Sequence, residues 1–447
     1  MSKVVKIKKG LNIPIKGVAP KDLKDMPETS RYAIKPPDFN GLALKLKAKQ
    51  DTKVKAGDVV MFDKNNNDIV LVAPVSGTVV EVNRGERRRI LEVVIETTDA
   101  QEVIKHEPLG EKAEKDQIIR QLLNAGLWPY ISMRPYGIVA NPEDTPRDIF
   151  VSTFDSSPLA PDINFAMEGM KEHFFAGIKY LSKLTTGDVH LGIDATNKGF
   201  FEETPGVVKN YFQGPHPAGN VGIQIHQSKP LAKGEIVWTV RPQDVAMIGK
   251  LLATGEVDFG RVVALTGSQA KEPGYYRTKV GASLESILKV ADSEVKPRFI
   301  SGNVLTGARI DKKGFLGFYD NMVTIIPEGD DYEFFGWAAP RLNEFSISRT
   351  YFSWLMPGKT YEMSANLHGE ERAFVVTGEY EKVFPMDVMP VQLLKSIMVE
   401  DIDEMEQLGI FEVIEEDMAL CEYVCTSKIK VQEILRKGID LMIKETM

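Results

Sequence analysis

At 447 residues, 43% hydrophobic and 26% charged, the chain has the length of roughly three domains and the composition of ordinary globular protein. A formal charge of −8 argues against a nucleic-acid partner, no apolar run approaches the roughly 18 residues of a membrane span, and the Lys-rich start lacks the apolar stretch of a signal peptide. Two cysteines supply no disulfide framework, which agrees with a reducing, cytosolic setting.

The charges are unevenly spread. Residues 1–55 carry fourteen Lys and Arg against five acids, whereas residues 396–427 carry ten acids and no Lys or Arg. The two blocks are either solvated faces or contact surfaces for each other or for other subunits.

In chain order, residues 1–100 read as short strands punctuated by turns. Val54-Lys-Ala-Gly57-Asp58 leads through an Asn65–Asn67 hairpin tip to Ala73-Pro74-Val-Ser76-Gly77, where Gly77 permits a tight turn between two β-rich runs. These segments resemble the biotinyl/lipoyl carrier fold. A carrier needs a lysine at the hairpin tip; Asn66 stands there, so the expectation is a structural barrel-sandwich hybrid rather than a swinging arm. Over 101–256, apolar β-runs such as Ile149–Phe154 and Val189–Ile193 alternate with helical stretches, including Asp116–Leu127 and Val245–Ala253, which predicts a parallel α/β layer. Gly214-Pro-His216-Pro-Ala-Gly219 reads as a binding loop leading into a strand through His226. It carries neither a G-x-G-x-x-G nor a G-K-[ST] phosphate cradle, and its two histidines lack companion acids at ligand spacing.

From 257 to 328, a β-run, a Pro273-Gly274 turn, a second β-run and a short helix suggest a ubiquitin-like β-grasp. Residues 329–385 hold an aromatic arm, Tyr332–Trp354, with Phe334, Phe335 and Trp337 as contact candidates. A strand at Arg372–Glu379 follows, and the segment is a candidate to complete the N-terminal barrel. From 386 to 447 the chain is helical, with Val431, Ile434, Leu435, Leu441 and Met442 at helical spacing. Cys421 and Cys425, four apart, fall on one helix face. Two thiols fall short of the four ligands of an iron–sulfur cluster or closed zinc site, leaving buried apolar residues or a vestigial cluster site.

Taken together, Ile7-Lys-Lys-Gly10-Leu-Asn-Ile-Pro14, Asn83-Arg-Gly85-Glu, Gly214-Pro-His-Pro-Ala-Gly219, Arg298-Phe-Ile-Ser-Gly302-Asn-Val-Leu-Thr-Gly307 and Asp417-Met-Ala-Leu-Cys-Glu-Tyr-Val-Cys425 resemble the A-subunit family of bacterial sodium-translocating NADH:quinone oxidoreductases, over essentially the full length. The middle and end are also similar to the flavin and iron–sulfur subunit of respiratory complex I and to the C subunit of the Rnf complex. Where those relatives have a glycine-rich flavin loop, this chain has Gly126-Leu-Trp128-Pro-Tyr130-Ile-Ser-Met-Arg134-Pro-Tyr136. Where their Glu- and Cys-bearing segment lines the flavin, it has Thr153-Phe-Asp155-Ser-Ser-Pro158.

The resemblance implies a peripheral subunit on the cytoplasmic side of the inner membrane, within a six-subunit complex that includes membrane subunits and passes electrons from NADH to quinone. The chain itself would be redox-silent, with FMN, riboflavin, FAD and iron–sulfur centres on other subunits and an α/β domain that is a degenerate Rossmann-like fold. A quinone site on this chain has Trp128, Tyr130, Arg134 and Tyr136 as its candidates, because a quinone head needs donors beside an aromatic slot. A purely structural docking subunit without ligand is the alternative. An autonomous dehydrogenase is disfavoured by the missing nucleotide fingerprint.

Overall fold

The structure, a computed structural model, describes residues 4–27, 29–110, 112–329, 335–338 and 341–446. Two small antiparallel sheets build the N-terminal unit. One orders Arg31–Ile34, Ile90–Thr97, Gly77–Arg84 and Lys53–Val54; the other orders Leu44–Leu46, Val59–Asp63 and Val70–Val72. The asparagine tip forms as expected: Asp63 Oδ2 accepts the Asn66 N–H at 3.1 Å and Asp63 N–H donates to Ile69 O at 2.9 Å. Gly77 serves another purpose than the expected turn. It lies in a strand, and a Cβ there would sit 2.1 Å from the Glu96 carbonyl oxygen, so the neighbouring backbone excludes any side chain.

Seven strands form the α/β sheet, in the order Val4–Lys6, Val208–Gln213, Val189–Asp194, Ile149–Ser152, Val237–Thr239, Ser132–Arg134, Ile138–Val139. The first five run parallel, Ser132–Arg134 pairs antiparallel to Val237–Thr239, and Ile138–Val139 pairs antiparallel to Ser132–Arg134. Their near-continuous apolar runs suit a sheet covered on both faces. Helices Lys171–Leu181 and Pro242–Thr254 cross on glycines: a Cβ on Gly249 would meet the His173 carbonyl oxygen at 1.9 Å, and one on Gly177 the Val245 carbonyl oxygen at 2.1 Å. Gly249→Ala is therefore expected to force the helices apart and cost about 1–3 kcal/mol; an unchanged thermal midpoint would show that the crossing can relax.

A six-stranded mixed sheet follows, ordered Ala308–Ile310, Pro297–Ser301, Met322–Pro327, Gly260–Thr266, Gly274–Lys279, Leu23–Asp25. The short helix expected after its hairpin is a single turn, in which Leu288 N–H donates to Leu284 O at 3.0 Å. Two strands thus leave the N-terminal unit to edge other sheets, Val4–Lys6 on the α/β sheet and Leu23–Asp25 on this one.

Helices Pro390–Met398, Ile402–Gln407, Glu415–Val424 and Val431–Thr446 pack around Leu394, Met405, Met418, Leu435 and Met442. Three expectations are corrected. Val221–Ser228 is a helix rather than a strand: Ile223 faces the C-terminal core while Ile225 packs with Phe150 and Val237, so burial on two sides mimics strand alternation. Arg372–Glu379 forms no strand; its β-branched residues find no partner strand, and Arg372 N–H instead donates to Ser427 O at 2.9 Å. The described residues of 329–385 add no strand to the barrel, and Tyr361 instead bridges Ile15. In the aromatic arm Phe335 is exposed, whereas Tyr332, Phe334 and the Trp337 side chain lie outside the described residues. Among the described residues no helix is long and apolar enough to cross a membrane.

Candidate functional site

Parallel strands deliver their following loops to one edge of a sheet, and in open α/β sheets that carboxyl edge is where ligands bind. Here it opens into a cavity of about 490 Å³. Ile149–Ser152 leads to Phe154, Asp155 and Ser157; Val208–Gln213 leads to His216 and Gly219; Val237–Thr239 leads to Arg241. Lys35 and Asp38 close it from the barrel, Asn303, Tyr319 and Asp320 from the six-stranded sheet, and Glu415, Glu416 and Arg436 from the C-terminal helices.

Most charges in this wall are already matched. Lys35 lies 3.7 Å from Asp38, Arg436 Nη2 donates to Glu415 Oε2 at 2.7 Å, and Arg134 binds Glu416 at 2.8 Å and Asp417 at 2.5 Å. Arg241 differs. It has no ion pair among the described residues, it is exposed to the cavity, and its guanidinium lies 4.6 Å from the centre of the Tyr319 ring. Ser157 Oγ is buried at the cavity wall beside the Asp155 carboxylate, whose Oδ1 accepts the Ser157 N–H at 2.7 Å. His216 Nδ1 lies 3.1 Å from Ser156 Oγ, which also accepts the Gly219 N–H at 2.8 Å, so Ser156 is placed to donate to Nδ1 and leave the proton on Nε2. Burial lowers the His216 pKa to about 4, which keeps the ring neutral. Desolvation raises the pKa values of Asp38, Asp155 and Glu416.

Of the four aromatic-loop candidates, the structure brings only Arg134 to this cavity. Trp128 is fully buried, donating its indole N–H to Ala140 O at 2.7 Å with its ring edge-on to Trp238. Tyr130 is buried against Phe318, centroids 4.3 Å apart, and Arg261 lies nearby. Tyr136 turns away, with φ +81° and its hydroxyl 3.2 Å from Thr446 Oγ1. Trp128, Tyr130 and Tyr136 therefore belong to packing, and the expected aromatic slot does not form from these four. Ser157 falls in the Thr153–Pro158 segment and His216 in the Gly214–Gly219 loop that the sequence had marked, whereas Arg241 and Tyr319 carried no pattern there.

Cys421 lies in the Glu415–Val424 helix, and Cys425 just beyond its end rather than on the same helical face. Both thiols are buried in the C-terminal core. Tyr380 donates its hydroxyl to Cys425 Sγ at 2.9 Å. Burial pushes the Cys421 thiol pKa up, so it stays protonated and a poor metal ligand. Asp148, Asp188 and His190 come together with their ligand atoms within 4.8 Å of one another, but Asp148 is already held by Lys229 and Arg147, each at 2.7 Å.

Three family descriptions match consecutive stretches: "NqrA N-terminal barrel-sandwich hybrid domain" over residues 5–98, "NqrA second alpha/beta domain" over 113–257 and "NQRA C-terminal domain" over 262–312. Among relatives, the A subunit of the Na(+)-translocating NADH-quinone reductase of Rhodopirellula baltica is 37% identical over 99% of this chain and 98% of its own. The proteins of the same name from Serratia proteamaculans (37%, 97% and 98%) and Neisseria meningitidis serogroup C (36%, 99% and 100%) are similarly close. Among solved structures, an NAD+-reducing [NiFe]-hydrogenase chain aligns over 74% of this chain and 61% of its own, at 11% identity and a TM-score of 0.36, too distant to bear on function. With identity above 35% sustained over nearly the whole of each chain, this protein belongs to the family of A subunits of the Na(+)-translocating NADH-quinone reductase.

Proposed function

We propose that the chain is the redox-silent A subunit of a complex that oxidises NADH, reduces quinone and moves Na⁺, held on the cytoplasmic side of the membrane by its partner subunits, and that its central cavity receives the quinone head. Flavins and iron–sulfur centres belong to other subunits in this reading. The supporting observation is Arg241, a cation without an ion pair among the described residues, beside an aromatic ring, with the Ser157 hydroxyl on the same cavity wall. A quinone carbonyl accepts from such donors while its ring lies against Tyr319.

Charge balance separates a quinone from a dinucleotide. Four cations, Lys35, Arg134, Arg241 and Arg436, face five acids, Asp38, Asp155, Asp320, Glu415 and Glu416. A neutral head meets little field there, whereas a pyrophosphate would be brought up against carboxylates. We also read the six-stranded sheet as a β-grasp variant and the four C-terminal helices as a bundle that has lost its cluster. The units are divided near residues 100, 256, 328 and 385, with Val4–Lys6 and Leu23–Asp25 as crossing strands.

Titrating a short-tailed quinone into the purified chain by calorimetry tests the site. Saturable binding is expected, and Arg241→Gln should weaken it about tenfold, the worth of one hydrogen bond from a charged donor. Binding of equal strength in Arg241→Gln would remove the quinone from this cavity.

A further inference from the structure

The segment 341–361 folds back on itself: Lys359 Nζ donates to Leu342 O at 3.0 Å and to Asn343 Oδ1 at 2.7 Å, and Phe352 N–H donates to Arg341 O at 3.3 Å. Residues 15–18 join it through the Ile15–Tyr361 bridge and the Lys16 N–H to Tyr361 O bond. The result is a knob that presents large apolar side chains to solvent: Trp354 is 52% exposed and Leu355 56%, with Leu342 and Phe352 also exposed. So many on one small feature mark a contact surface.

The charges choose the partner. Within 341–361 stand three cations, Arg341, Arg349 and Lys359, and one acid, Glu344, which is bound to Arg341. Exposed Lys16 adds a fourth cation from the adjoining segment. Arg349 sits 5.9 Å from the Trp354 ring centre. Exposed Glu362, next after Tyr361, accepts from Gln269 Nε2 at 2.5 Å, so four cations stand against two acids that each already have a partner. Exposed Trp, Phe and Leu interleaved with Lys and Arg is the composition that settles at the headgroup level of an anionic bilayer. The chain as a whole is acidic, yet beyond a Debye length of about 8 Å those distant charges are screened and the local cations decide. We propose that this knob rests on the anionic lipid surface, touching the membrane directly although the chain does not span it. The proposal is independent of the quinone cavity.

Flotation of the full chain with phosphatidylcholine vesicles, with and without phosphatidylglycerol, tests it, together with quenching of Trp354 by brominated acyl chains against a Trp354→Phe control. Flotation should require phosphatidylglycerol, Trp354 should be quenched, and Arg349→Gln should weaken partitioning about fivefold, as expected for one surface cation. Trp354→Ser with Leu355→Ser should abolish flotation while circular dichroism and quinone titration stay unchanged. Absence of flotation, or flotation indifferent to the double substitution, overturns the proposal. So does release of the doubly substituted chain from its complex with vesicle binding intact, which would make the knob a protein interface.

Discussion

Replacing Arg134 with alanine should cost about 3–5 kcal/mol, because it strands a carboxylate that has no water to fall back on. The Arg134 side chain is 4% exposed and that of Asp417 fully buried, and the two bind at 2.5 Å across 283 residues of sequence. The backbone has closed around the pair: a Cβ on Gly222, at the start of the Val221–Ser228 helix, would sit 2.3 Å from Asp417 Oδ1 and 2.7 Å from Arg134 Nη1. Asn220 adds a bond from its side-chain amide to Glu416 O at 2.9 Å. Arg134 is thus the clamp that fastens the C-terminal helices to the α/β unit at the cavity wall. Since the chain has several units, loss should appear first as local release, with the helices after residue 386 becoming protease-sensitive before the urea transition of the remainder. Arg134→Met combined with Asp417→Leu should recover most of the loss, less the bond that Asp417 Oδ2 accepts from Ile414 N–H at 3.0 Å. A cost below about 1 kcal/mol for Arg134→Ala would mean that water reaches Asp417 and that no clamp exists.

Acidification from pH 7 to 4 should draw about 3 kcal/mol of stability out of His216 alone. Its folded pKa, about 4, lies below the ordinary value of about 6.5, so the unfolded chain takes up the proton first. The contribution is fully present above about pH 6.5 and disappears progressively as pH falls toward 4. Asp38, Asp155 and Glu416 act in the opposite sense. Their folded pKa values are raised, so the folded chain takes up those protons first and gains stability on acidification. The measurable quantity is therefore the difference between the native chain and His216→Gln, followed by urea midpoints across this range. The native chain should lose about 3 kcal/mol more than the variant; parallel profiles would mean that the imidazole is solvated and titrates normally.

Local chemistry was readable in the sequence where one residue type answers one local demand. The Asn65–Asn67 tip, the parallel strands at Ile149 and Val189, and the helix from Val431 all form as their residues suggest. Burial on two sides defeats that reading, as in Val221–Ser228, where a helix caught between two cores shows the alternation of a strand. Arg372–Glu379 fails for the opposite reason, since β-branched residues without a neighbouring strand to pair with stay irregular. The candidate site was least legible. The Trp128–Tyr136 loop looked like a slot because rings and an arginine were close in sequence, yet its rings are spent on the core. The residues that do converge, Ser157, His216, Arg241 and Tyr319, come from four separate connections and meet only after the sheets are assembled.

The two crossing strands at the amino end bear on how the protein can be cut and made. Val4–Lys6 pairs with Tyr211–Gln213, and Leu23–Asp25 with Tyr275–Arg277, so these strands wait for partners made more than two hundred residues later in the chain. Pairing over such separations is slow. A fragment excised at residue 101 would expose the Val208–Gln213 backbone as an open edge, ready to recruit a neighbouring chain. Fragments for biophysical work should therefore carry residues 4–6 along with the α/β sheet and residues 23–25 along with the six-stranded sheet, even though the barrel lies between them.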